Sequence, residues 1–153
     1  MHYGCRVIKY RVNTNGSVEF SPNEWTSYSD IEKKVSENEY IKIENLYLCC
    51  VMDVCNHLCI NGLKINELDL YDSSITYKEG QFLEKEQYIE VARDVLREKY
   101  WCKLVSDSCE FHFGYDFYMY VISNIDIFEF LENKYSNFSI QRFMSPYYNN
   151  QVE

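Results

Sequence analysis

Hydrophobic alternation opens the chain. "RVIKYRV" (6–12) alternates apolar and polar positions and is rich in β-branched residues, which predicts a strand. "NTNG" (13–16) is a turn signal, and "SVEF" (17–20) reads as the returning strand. In "SYSDIEKKV" (27–35), Ser29 or Asp30 is placed to cap a short helical turn. The period then changes. Over 41–60 apolar residues fall at 43, 46, 47, 50, 51, 54 and 58, the spacing of a helix, and 48, 52, 55 and 59 are apolar as well. So broad a face predicts a largely buried helix, ended by Asn61 and Gly62.

Alternation returns in "LKINELDLYDSS" (63–74). Leu63 and Ile65 lie one position out of phase with Leu68 and Leu70, which predicts a strand carrying a bulge. "LEKEQYIEVARDVLREKY" (83–100) is the cleanest helix, with acids Glu84 and Glu86 leading and bases Arg97 and Lys99 trailing, as the helix dipole favours. "WCKLV" (101–105) reads as a strand, "SDS" as a turn, "IDIFEFLENKY" (125–135) as a short helix and "FSIQRFM" (138–144) as a last strand.

The densest stretch is "CEFHFGYDFYMYVIS" (109–123), with six aromatic rings, one His and one Asp. Cys109, Phe111, Phe113, Tyr115, Phe117, Met119 and Val121 share one parity. Glu110, His112, Gly114, Asp116, Tyr118 and Tyr120 share the other. Because the phase survives Gly114, the pattern favours one continuous strand bent at the glycine over a hairpin. The predicted architecture is α+β: one domain over 1–153, a mainly antiparallel sheet, and two principal helices, 41–60 and 83–99, packed on one face.

Composition narrows the function. The 153 residues are 46% apolar and 17% aromatic, with 2 Pro and 5 Gly, so the chain has the means to bury a core. Net charge is −9, spread evenly along the chain. Such a surface repels phosphates and disfavours nucleic acid, and it attracts a basic partner. No apolar run is long enough to span a bilayer, the N-terminus "MHYGCRVIKY" lacks a secretory core, and the seven cysteines are odd in number. A cytoplasmic protein with reduced thiols, no membrane contact and no cofactor is expected. Nothing in the pattern excludes a homodimer.

No phosphate-binding, dinucleotide-binding, zinc-protease or nucleophile-elbow motif occurs. Cys49, Cys50, Cys55 and Cys59 sit on one broad helix with His57 among them; core packing outweighs a metal site there, because zinc ligands come from knuckles or separate elements. Cys109 and His112 have opposite parity and point to different faces, which removes a Cys–His pair. His112, Asp116, Tyr118 and Tyr120 share a face, yet His112 and Asp116 are about 13 Å apart on a straight strand. A polar network is the better reading of that row than an acid–base pair.

Trp25-Thr26-Ser27, Leu96-Arg97-Glu98, Trp101-Cys102, the run His112 to Asp116 with Tyr118-Met119-Tyr120, and Ser145-Pro146-Tyr147 together resemble a family of small bacterial proteins. Some of its members look like immunity proteins of polymorphic toxin systems. The resemblance spans Trp25 to Tyr147 and carries no catalytic residue with it. It implies a non-enzymatic protein that binds a cognate toxin and covers the toxin's active or substrate-binding surface. An acidic, tyrosine-rich chain suits a basic toxin. The rival readings are a small enzyme or ligand-binding domain using the His112 face, and a phage-encoded inhibitor of a host defence enzyme. The acids Glu67, Asp69 and Asp72, with Glu84 and Glu86 across one polar connection, are expected to lie together as a docking patch. Tyr147 and Tyr148 are the next candidates.

Overall fold

The computed structural model describes residues 1–149. It shows one α+β domain with a seven-stranded antiparallel sheet and three helices. Residues 150–153 of the expected domain lie outside the described residues. Strand β1 (Tyr3–Ile8) is followed by a small hairpin, β2 (Arg11–Val12) and β3 (Val18–Glu19), closed by the predicted turn. Then come a 3₁₀ turn (Tyr28–Asp30), α1 (Glu37–His57), β4 (Leu63–Leu70), β5 (Phe82–Leu83) and α2 (Lys85–Leu96). The chain finishes with β6 (Tyr100–Val105), β7 (Cys109–Phe113), β8 (Met119–Ser123), α3 (Phe128–Lys134) and β9 (Ser139–Arg142). The order across the large sheet is β5-β4-β6-β7-β8-β1-β9. The outermost strands are short, which limits edge-to-edge pairing.

One face of the sheet is apolar. Leu63 and Ile65, Cys102 and Leu104, Phe111 and Phe113, Met119 and Val121, and Cys5 and Val7 all join a single core with Tyr47, Val51 and Val54 of α1, Val91 and Val95 of α2, and Leu131 of α3. The helices therefore cover this face, as the periodicity predicts. Glu44 is the exception inside it. Its carboxylate is 1% exposed, and it accepts from Arg97 Nε at 2.8 Å, Arg97 Nη2 at 2.9 Å and Tyr40 Oη at 2.7 Å, tying α1 to α2.

Several expectations are corrected. Residues 109–123 form a hairpin rather than one bent strand: β7 and β8 pair with Phe113 opposite Met119 and His112 opposite Tyr120. Partners in an antiparallel pair share a face, and the five-residue connection keeps odd opposite odd. Parity thus survives a hairpin as well as a bend, and could not separate them. The strained residues of the turn are Asp116 and Phe117, both at φ 62°, not Gly114. Buried phenols hold that turn: Tyr10 Oη donates to the Asp116 carbonyl at 2.5 Å and Tyr47 Oη to the Phe117 carbonyl at 2.7 Å.

The 3₁₀ turn is capped by Ser27 rather than Ser29 or Asp30; the Asp30 carboxylate instead accepts from the Thr26 and Ser27 amides at 2.8 and 3.3 Å. Helix α1 starts at a Ser36 cap whose hydroxyl accepts from the Glu39 amide at 3.2 Å, and it ends earlier than Gly62. Cys59 takes the left-handed conformation (φ 55°), with Ile60 N–H donating to the Cys55 carbonyl at 2.8 Å, a helix stop that usually employs Gly. Gly62 serves another purpose: a Cβ there would stand 2.5 Å from the Leu83 carbonyl oxygen, so it lets β4 approach β5. Cys50 and Cys55 are core residues as expected, but Cys49 is half-buried and Cys59 is exposed. The predicted bulge in β4 is present between Asn66 and Asp69, with Glu67 at φ 53°.

Candidate functional site

The second face of the sheet is polar and aromatic, and a C-terminal segment lies on it. Arg6, Trp101, Lys103, Glu110, His112 and Tyr120 occupy this face by strand alternation. Residues 143–148 run across them. Phe143 and Met144 pass over Gly4 so closely that a Cβ there would lie 2.8 Å from the Phe143 carbonyl oxygen. Tyr148 Oη donates to the Met1 carbonyl at 3.1 Å.

Beneath this segment His112 is 0% exposed and Ser145 4% exposed. His112 Nε2 lies 2.7 Å from Glu110 Oε2 and Nδ1 lies 2.8 Å from Ser145 Oγ. A carboxylate only accepts, so Nε2 carries a proton, and in the neutral imidazole Nδ1 accepts the serine hydroxyl. Ser145 Oγ in turn accepts the Tyr147 amide at 3.1 Å. The connectivity is that of a base beside a serine. However, both groups are sealed, and every hydrogen-bonding position facing inward is filled.

Of the four residues expected to share this row, His112 and Tyr120 are direct cross-strand partners, and Tyr118 stays on this face beside Arg6, whose guanidinium lies 5.5 Å from its ring centre. Asp116 is at the exposed turn tip. The carboxylate beside His112 is Glu110, two residues away on the same strand face. That spacing was legible in the sequence; the contact with Ser145 was not.

Lys103, also buried, pairs with Glu67 at 2.7 Å and donates to the Tyr147 carbonyl at 2.5 Å. Glu67 further accepts from Asn149 at 2.8 Å. This acid is thus a tie between the β4 bulge and the C-terminal segment. Asp72 accepts the Ser74 amide at 2.9 Å within its own turn. Glu84 and Glu86 start α2. The two acidic groups expected to adjoin lie at opposite ends of β4. Leu63 pairs with Leu83 at one end while Asp69 pairs with Trp101 at the other, about 20 Å away by strand rise. The polar connection that joins them in sequence folds back along the strand, so closeness in the chain did not become closeness in space.

What the fold does assemble is a cleft of about 490 Å³ at one end of the sheet. Five segments build it: Asp69 and Tyr71 from the end of β4, Val95 and Glu98 from the end of α2, Tyr100 and Trp101 from the start of β6, Phe113 to Tyr115 from the β7 turn, and Tyr147 from the C-terminal segment. The Trp101 indole is fixed by its N–H, which donates to the Phe113 carbonyl at 2.7 Å, and the Tyr147 ring centre stands 5.5 Å from it. Tyr115 and Tyr71, at 74% and 58% exposure, are the most exposed large aromatic side chains among the described residues. The only charged residues lining the cleft are Asp69 and Glu98, and neither forms an ion pair among the described residues. Incomplete solvation holds the Tyr71 hydroxyl above its usual pKa, with Tyr115, Asp69 and Glu98 adding to the effect. Asp69 and Tyr147 were singled out from the sequence as docking candidates; Glu98, Trp101 and Tyr115 entered the functional reading only within the motifs of the resemblance, and Tyr71 not at all.

Among the described residues, no group of three or more His, Cys, Asp or Glu side chains is placed to hold a metal ion, and no helix is long and apolar enough to cross a membrane. Compared with known proteins, the chain matches no family model, no curated protein and no solved structure.

Proposed function

We propose that this chain is a non-enzymatic binding protein that docks a basic protein partner on the cleft end of its sheet. The partner, by the sequence resemblance, is a bacterial toxin whose active or substrate-binding surface it covers. One observation carries the docking: a preformed cleft walled by Trp101, Tyr71, Tyr115 and Tyr147, whose only charges among the described residues are carboxylates without an ion pair there, on a chain of net charge −9. Tyrosine and tryptophan in a rigid setting supply contact area at low entropic cost, and like-signed charge speeds the approach of an oppositely charged protein. A phage-borne inhibitor of a defence enzyme would use the same surface.

The test is capture followed by rescue. Immobilised wild-type chain should retain one basic protein in stoichiometric amount, released by salt, and co-expression should relieve the growth arrest that protein causes alone. Undiminished capture and rescue by the double variant Tyr71→Ala, Tyr115→Ala would move the interface elsewhere.

The second reading, a small enzyme, draws on the Glu110–His112–Ser145 row. Its burial favours a structural role. Labelling of Ser145 by a fluorophosphonate, lost in His112→Ala, would establish the enzyme instead.

A further inference from the structure

We infer that the cleft is an arginine pocket: it takes one arginine side chain of the partner, stacked on Trp101 and Tyr147 and ion-paired with Asp69 and Glu98. This deepens the binding-protein reading and rests on it. The cleft contains what a guanidinium requires. Its walls carry the rings of Tyr71, Tyr100, Trp101, Tyr115 and Tyr147, and the face of such a ring attracts a planar, weakly hydrated guanidinium. Among the described residues its carboxylates form no ion pair, so none of those has to be broken. Asp69 and Trp101 are direct cross-strand partners, which puts the carboxylate and the indole on one face of the sheet.

Glu98 supplies the second carboxylate. It stands two residues past the end of α2 in the left-handed conformation (φ 61°), with its amide donating to the Val95 carbonyl and the Lys99 amide to the Asp94 carbonyl, both at 3.0 Å. Helices end this way most cheaply with Gly. A glutamate here costs the fold and makes no ion pair among the described residues, and Glu98 lines the cleft.

The experiment uses the chain alone, so its failure is separable from failure of the capture assay. Short blocked peptides Gly-Arg-Gly, Gly-citrulline-Gly and Gly-Lys-Gly, and choline, are titrated while the Trp101 indole N–H and the amides of Tyr71, Glu98 and Tyr115 are followed by NMR. Citrulline keeps arginine's shape without its charge. The arginine peptide should bind at least about tenfold more tightly than the others, and raised salt should weaken it. Asp69→Asn should lower its affinity severalfold. Glu98→Gly should do the same while raising the thermal midpoint, an outcome no structural role for the carboxylate would produce. Equal binding of arginine and citrulline, binding of lysine or choline as tight as arginine, unaltered binding by Glu98→Gly, or no binding at all would each overturn the pocket. Successful partner capture despite that result would leave the binding-protein reading standing on another surface.

Discussion

The two faces of the sheet are buried by different means. The helix-covered face is closed by many apolar side chains from three helices, and its cohesion is spread over them. The opposite face is closed by one C-terminal segment, through a few directed contacts to His112, Lys103 and Met1. The first kind of burial is non-directional and tolerant of sequence. The second depends on each buried polar group finding its partner, because an unmatched one costs more than a matched one contributes. The cleft lies at the margin between the two, where both layers stop short of the β6 and β7 ends.

The comparison can be broken most forcefully on the helix-covered side. Phe117 is buried among Trp25, Tyr40 and Tyr47, with ring centres 5.2, 5.8 and 5.4 Å away. Phe117→Ala should cost about 3–5 kcal/mol in urea unfolding, the range for a large core truncation. A loss below about 1 kcal/mol would mean that the aromatic cluster does not hold the left-handed turn. On the other face, Ser145→Ala leaves His112 Nδ1 without its hydrogen-bond partner and should cost about 1–3 kcal/mol, with faster proteolysis of the C-terminal segment. An unchanged cleavage rate would show that the segment is held by its tyrosines instead.

The finest probe is thiol chemistry. Cys5, Cys50, Cys55, Cys102 and Cys109 are buried, Cys49 is half-buried and Cys59 exposed. At neutral pH an aromatic disulfide reagent should modify Cys59 first and the five buried thiols only on unfolding. Burial pushes the Cys5 and Cys55 thiols from 9.0 to about 11 and Cys102 to about 12. A raised folded pKa lends stability that is complete below the unfolded value and lost as pH rises toward the folded one. The urea midpoint should therefore be level from pH 7 to about 8.5 and decline above pH 9. Labelling of Cys102 as fast as Cys59 would show that the helix layer opens.

Local chemistry was enough for the elements themselves. The periods of α1 and α2, the β4 bulge, the turn at 13–16 and the apolar parity of β7 and β8 are properties of neighbouring residues, and neighbours are what a sequence displays. The α+β class followed from their succession. Where two geometries share one pattern, sequence could not choose: parity is blind to an odd-length hairpin, and a left-handed helix stop can be taken by Cys59 or Glu98 as well as by Gly. The cleft was beyond it for a different reason. Its carboxylates and rings come from five segments, from Asp69 to Tyr147, and pairing across the sheet sets their distances from one another, not separation along the chain. The same pairing placed Glu84 and Asp69 at opposite ends of one strand and brought Ser145 onto His112, 33 residues away. Backbone preferences act over a few residues, whereas a site is made of contacts whose order only the packed sheet decides.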